Sequence, residues 1–176
     1  MQGSSNEIYD INRKRTQGMS IFNDIKDLAG GAPKSKKWYR SQLVYGLQPY
    51  DGGFMTGDIL FFEYSPQTPS PPLPWYDKYP MVQVLDRNLG KGQFSGGNLH
   101  YLRPEFRRAV GRQWATGSNQ YPMQCHHKYF MSSISQAMDV PRDNFKNWTP
   151  LPLEEFWIKR GGMWMDLPSS HIWSRV

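Results

Sequence analysis

A chain of 176 residues has room for one domain with arms, not for two full domains. Fourteen prolines and sixteen glycines exclude an extensively helical protein, and seven Trp, ten Tyr and nine Phe place the apolar burial in large flat rings that also anchor interfaces. The formal charge of +6 attracts acidic proteins, nucleic acid or headgroups without choosing among them, and one cysteine, Cys125, excludes an internal disulfide, which points to a reducing cytosol.

In chain order, residues 1–19 carry few apolar side chains and read as an extended arm, with no signal-peptide stretch behind Arg13, Lys14 and Arg15. Ser20 can cap a short helix with Ile21, Phe22, Ile25 and Leu28 on one face, ended by Gly30-Gly31. The four-residue spacing of Tyr39, Leu43 and Leu47 predicts a helix over 36–47, an edge strand being the alternative. After the Gly57-Asp58 turn, Ile59 to Tyr64 reads as a buried strand. Six prolines between residues 65 and 80 predict a long polyproline-like loop without helix or ladder. The rings near its end, Trp75, Tyr76 and Tyr79, either fold back over the sheet or insert into a partner.

Residues 81–85 read as a second strand, the glycines at 90, 92, 96 and 97 as a connection, and 98–102 as a third strand. Pro104 starts a helix with Phe106, Ala109, Val110 and Trp114 on its apolar face and Arg103, Arg107, Arg108 and Arg112 mostly on the other. The spacing of Phe130, Ile134, Ala137 and Met138 predicts another helix over 124–138. Gly161-Gly162 reads as a break before an extended tail, 161–176, that carries Trp164 and Trp173. The fold expected is therefore α+β: a small antiparallel sheet or SH3-like barrel flanked by two or three helices, over residues 20–160.

Little in the sequence points to a bond-making centre. The consecutive ligands Cys125-His126-His127 would diverge by about 100° per residue on a helix, which argues against one tetrahedral ion. His100 reads as a hydrogen-bonded structural histidine, and neighbouring Glu154 and Glu155 diverge on a helix. Gly90-Lys91-Gly92 lacks the rest of a phosphate loop. No cofactor, metal, small-molecule substrate or membrane insertion is expected, since no apolar run approaches the length of a bilayer span. Nucleic-acid contact has material in Arg13, Lys14, Arg15, Lys34, Lys36 and Lys37 with neighbouring rings, against the alternative of solvated faces or contacts to acidic proteins.

Three segments, Gly57 to Pro66, Leu73 to Val82 and Gly97 to Pro104, resemble a family of structural proteins from T-even-like and other contractile-tailed bacteriophages. The run from Lys128 to Phe156 is also similar, including Val140-Pro141-Arg142-Asp143 and Leu151-Pro152-Leu153-Glu154-Glu155-Phe156, so the resemblance covers about half the chain. It implies a non-enzymatic virion component of tail, baseplate or neck, made and assembled in the host bacterial cytoplasm among other virion proteins. A basic DNA-contacting neck or DNA-end-protecting protein is the alternative. It brings no catalytic residues, and the regions 66–72 and 111–122 depart from the family's pattern. On this reading the partner interface falls to Trp75, Tyr76, Tyr79, Arg103, Arg107, Arg108, Trp164 and Trp173.

Overall fold

The computed structural model describes residues 34–66, 75–87, 90 and 92–174; the arm expected at 1–19, with Arg13, Lys14 and Arg15, and the helix expected at 21–28 lie outside them. The protein is α+β, with two open antiparallel sheets and short helices. Strands β1 (Ile59–Tyr64), β3 (Met81–Asp86), β4 (Gln93–Asn98), β5 (His126–Phe130) and β6 (Ile134–Asp139) form a sheet ordered β5-β4-β3-β1-β6. Strands β2 (Trp75–Asp77), β7 (Phe156–Arg160) and β8 (Met163–Leu167) form a second, ordered β2-β7-β8. The helices are α1 (Lys36–Gly46), α2 (Pro104–Gly111), α3 (Gln113–Thr116), α4 (Phe145–Trp148) and α5 (Ser169–Trp173).

The larger sheet curls until its edges approach. Tyr129 of β5 lies 5.6 Å from Phe62 and 5.1 Å from Tyr64 of β1, although two strands separate them in the sheet, and the Phe130 amide donates to the Tyr64 hydroxyl at 3.1 Å. Of the two alternatives expected, an antiparallel sheet or an SH3-like barrel, the open sheet forms, since β5 and β6 share no ladder. Leu60, Phe62, Val82, Val84 and Phe94 fill the concave side with these tyrosines, while Ile59, Phe61 and Met81 join the helices and the second sheet in the main core. Burying rings on both faces of one sheet supplies the area that a chain with few aliphatic residues needs.

The helix expected over 36–47 forms with Ser35 as its cap, the hydroxyl accepting from the Trp38 amide at 3.1 Å. Four other elements differ from the reading of the sequence. The prolines do not exclude a ladder: the proline-free Trp75–Asp77 pairs with β7. The third strand is Gln93–Asn98, and Leu99–Tyr101 is a 3-10 turn. Its glycines belong in the strand because neighbours lie on the backbone: a Cβ at Gly96 would stand 2.3 Å from Val82 Cγ1, and one at Gly97 2.6 Å from Tyr121 Cγ.

Residues 126–139 are not a helix. They form β5 and β6 around a 3-10 turn, because burying Tyr129 in the curl and pairing β6 with β1 outweigh a weak helical period. Gln136, at φ 50°, lies where the β1–β6 register shifts, the extra residue of a bulge. Nor is 161–174 a loose tail: Gly161 and Gly162, at φ 57° and 79°, form the two-residue hairpin turn between β7 and β8, and Ile172 of α5 is buried.

The close approach at Gly97 has a measurable consequence. Gly97→Ala must displace the Tyr121 ring, whose hydroxyl donates to Gln83 Oε1 at 2.6 Å and accepts from Trp114 Nε1 at 2.7 Å. Urea denaturation is expected to show a loss of about 1–3 kcal/mol, the usual cost of overpacking.

Candidate functional site

Two features of the folded chain invite a functional reading: a buried acid–histidine junction and an exposed sheet face. The junction begins with Asp77, the last residue of β2. Its Oδ2 lies 2.7 Å from His100 Nδ1 and accepts from Asn98 Nδ2 at 3.0 Å; its Oδ1 accepts the amides of Tyr79 and Glu155, each at 3.1 Å. Burial would raise the Asp77 pKa, but the His100 charge and the donors from His100, Asn98 and Glu155 outweigh it and hold the carboxyl below its ordinary range. Beside it, Glu154 meets Arg107 at 3.2 Å and Lys36 at 2.9 Å, and burial is again outweighed, here by the charges of Arg107, His100 and Lys36.

An aspartate on a histidine has the composition of an acid–base dyad. Here both side chains are 1% exposed, and His100 Nε2, the atom that would face a substrate, is itself buried. The Cys125 thiol is buried and its pKa pushed up to about 12, which removes the thiolate a nucleophile requires. Among the described residues no group of three or more His, Cys, Asp and Glu is placed to hold a metal, and no helix is long and apolar enough to cross a membrane. What the junction does chemically is fasten: it joins β2, β4, α1 and the segment entering β7 through charge-assisted hydrogen bonds, and α2 through the Arg107–Glu154 ion pair.

Arg107 is a correction to the expected cationic face of α2. It is wholly buried, with Nε donating to the Leu102 carbonyl at 2.9 Å and Nη1 to that of Leu151 at 3.2 Å, whereas Phe106, expected inside, is 57% exposed. The acceptors of the junction draw the guanidinium inward and turn the helix with it. Trp173 is likewise committed: its Nε1 donates to the His100 carbonyl at 3.0 Å and Arg107 lies 5.5 Å from its ring. Trp75 packs half-buried against the main core. Tyr79 also packs there, with the Arg40 guanidinium 4.2 Å from its ring. Lys36 is spent on Glu154 and on the Ser169 hydroxyl at 2.8 Å. Arg103, Arg108, Lys34 and Lys37 are exposed, Arg108 reaching the Lys146 carbonyl and Lys34 lying 5.7 Å from the Trp38 ring.

The exposed feature is the outer face of β2–β7–β8. Register places Tyr76 opposite Trp157, Trp157 opposite Asp166, and Lys159 opposite Trp164, on the side opposite Asp77, Phe156 and Leu167; there Tyr76 also meets Tyr64 of the curled sheet edge-on at 6.4 Å and packs against the cluster inside the curl, while Trp157, Lys159 and Trp164 lie beyond it. Trp164 leans across β7 to meet Tyr76 edge-on at 5.2 Å. Lys78 lies 5.5 Å from the Trp157 ring and Lys159 5.9 Å from that of Trp164. The Trp157 indole N–H donates to Glu155 Oε2 at 2.8 Å. Of the interface residues expected from the sequence, the fold brings only Tyr76 and Trp164 together here and adds Trp157, Lys78 and Lys159. Alternation of rings with polar residues on either side of Gly161-Gly162 was the available signal.

The chain matches no family model, and comparison with curated proteins and with solved structures found no match.

Two predictions follow from this chemistry. Arg107→Ala leaves Glu154 charged and poorly paired in the core, and denaturation is expected to show a loss of about 3–5 kcal/mol, against under about 0.5 kcal/mol for exposed Arg103→Ala. His127 stacks on Tyr101 at 4.0 Å and donates Nε2–H to the Gln124 carbonyl at 2.9 Å, and burial pushes its pKa down to about 4. Because the unfolded imidazole titrates near about 6.5, stability falls as pH drops from there toward 4, as the unfolded chain binds the proton that the fold excludes. The His127 ring resonances are expected to stay unshifted down to about pH 5.

Proposed function

We propose that this chain is a non-enzymatic structural component of a tailed-bacteriophage particle, a minor tail or baseplate protein that holds neighbouring virion proteins together. The observation that carries the reading is the outer face of β2–β7–β8, where Tyr76, Trp157 and Trp164 stand half-buried among Lys78 and Lys159. Rings already packed against one another and against lysine stems lose little freedom on docking, and the lysines suit a partner with acidic side chains. Synthesis and assembly in the host bacterial cytoplasm accompany this reading.

The resembling segments support it in a second way. They contribute Asp77, Asn98, His100, Glu154 and Glu155, so the likeness to the phage family falls on residues that fasten the two sheets. A likeness of that kind is a likeness of scaffold, as suits a part whose work is adhesion.

The test is mass spectrometry of purified particles from a phage encoding the chain, with wild type compared against Trp157→Ala/Lys159→Ala. The wild-type chain is expected at a fixed copy number, and the variant is expected to be depleted while its isolated melting temperature changes little. Absence of the wild-type chain from intact particles overturns the reading. The DNA-contacting alternative is favoured by the +6 charge and by exposed Lys34, Lys37, Arg103 and Arg108. It requires duplex binding that weakens steeply with added salt.

A further inference from the structure

Strand β8 has β7 on one side and no described strand on the other. The two-residue turn makes Arg160 and Met163 the first hydrogen-bonded pair of the hairpin. Met163, Met165 and Leu167 therefore direct their N–H and C=O groups to β7, while those of Trp164 and Asp166 point outward. Natural edges are blunted by charge, proline, a bulge or shortness. This one reads Met-Trp-Met-Asp-Leu, with Asp166 its one charge and without lysine, proline or a register shift, and Met163 and Met165 are 70% and 51% exposed.

We infer that β8 pairs antiparallel with β8 of a second copy of this chain, about a two-fold axis at Met165. In that register Met165 faces Met165 of the second copy, and Met163 faces its Leu167. Trp164 faces its Asp166. The outward backbone groups of Trp164 and Asp166 are then the ones that meet, as the parity of an antiparallel ladder demands.

The side chains fit the same register. Lys159 lies opposite Trp164 on β7, and the Trp164 ring leans away toward Tyr76, which leaves the place beside Lys159 open at the edge. The second copy's Asp166 stands beyond Trp164, two strands or about 10 Å of backbone from Lys159, within the combined reach of the two side chains. Asp166 is exposed and makes no ion pair among the described residues. A two-fold repeats each encounter, so the strand is its own complement: methionine against methionine and a cation–ring pair against an acid. That self-complementarity selects a second copy over a strand of another sequence. The inference does not depend on the virion reading, because it concerns the isolated chain.

Sedimentation velocity of the full chain from about 10 μM to about 1 mM is the test, a range suited to a short interface. The wild type is expected to pass from monomer to dimer. Met165→Lys sets two ammonium groups face to face, and Asp166→Lys sets a like charge within reach of Lys159; each is expected to weaken the dimer about ten-fold or more. The swapped pair Lys159→Asp with Asp166→Lys is expected to recover it. All these positions are exposed, and thermal melts followed by circular dichroism confirm that each variant is folded. A wild type that stays monomeric across the range overturns the inference, as does a dimer indifferent to Met165→Lys and Asp166→Lys.

Discussion

The carboxylate of Asp77 is the point on which the two sheets hang. A charge taken out of water costs several kcal/mol unless its lone pairs are met, and Asp77 meets donors from four residues: the His100 ring, the Asn98 amide and the backbone of Tyr79 and Glu155. Those donors come from β4, the 3-10 turn after it, the corner after β2 and the segment entering β7. Hydrogen bonds to a charged group contribute about 1.5–3 kcal/mol each when properly made, so the junction is strongest when every partner is in place. Glu154, one residue before Glu155, repeats the device with Arg107 and Lys36. Two buried acids thus bind the second sheet to the curled sheet, α1 and α2.

This fastening explains how a three-stranded sheet of short strands can offer a firm surface. A hairpin such as β7–β8 is marginal alone in water, and a third strand and a packed apolar face are what steady it. Anchored through Asp77, Phe156 and Leu167 on one side and through Tyr76 against Tyr64 on the other, the sheet holds Trp157 and Trp164 at fixed spacing. The same anchoring holds the edge of β8 in place, ready for another strand. On the proposed reading, the face and the edge of this one small sheet would serve adhesion separately.

Much of the curled sheet was legible because its signals are local. Apolar runs at Ile59–Tyr64 and Met81–Asp86 name their own strands, and Pro104 names a helix start. The failures share a cause: the deciding partner is distant in sequence. Gly96 and Gly97 read as a connection because the rings and methyls that need their bareness lie at Tyr121 and Val82. Phe130, Ile134 and Met138 mimic a helix until β1 and the interior of the curl claim the segment. Arg107 reads as surface because its acceptors, Leu151 and Glu154, arrive some forty residues later. The hairpin at Gly161-Gly162 was within reach, since a glycine pair between two alternating runs is a strong local sign. Of the candidate face, Tyr76 and Trp164 were singled out from the sequence; Trp157, Lys78 and Lys159 needed the register that sets them side by side.

The account stands most directly on whether Asp77 couples the sheets, and native-state hydrogen exchange of Asp77→Ala measures this. Amides of β7 and β8 are expected to lose most of their protection, while those of β1, β3 and β4 exchange nearly as in the wild type. Unchanged protection across β7 and β8 would contradict the account, because the second sheet would then hold its place without the carboxylate.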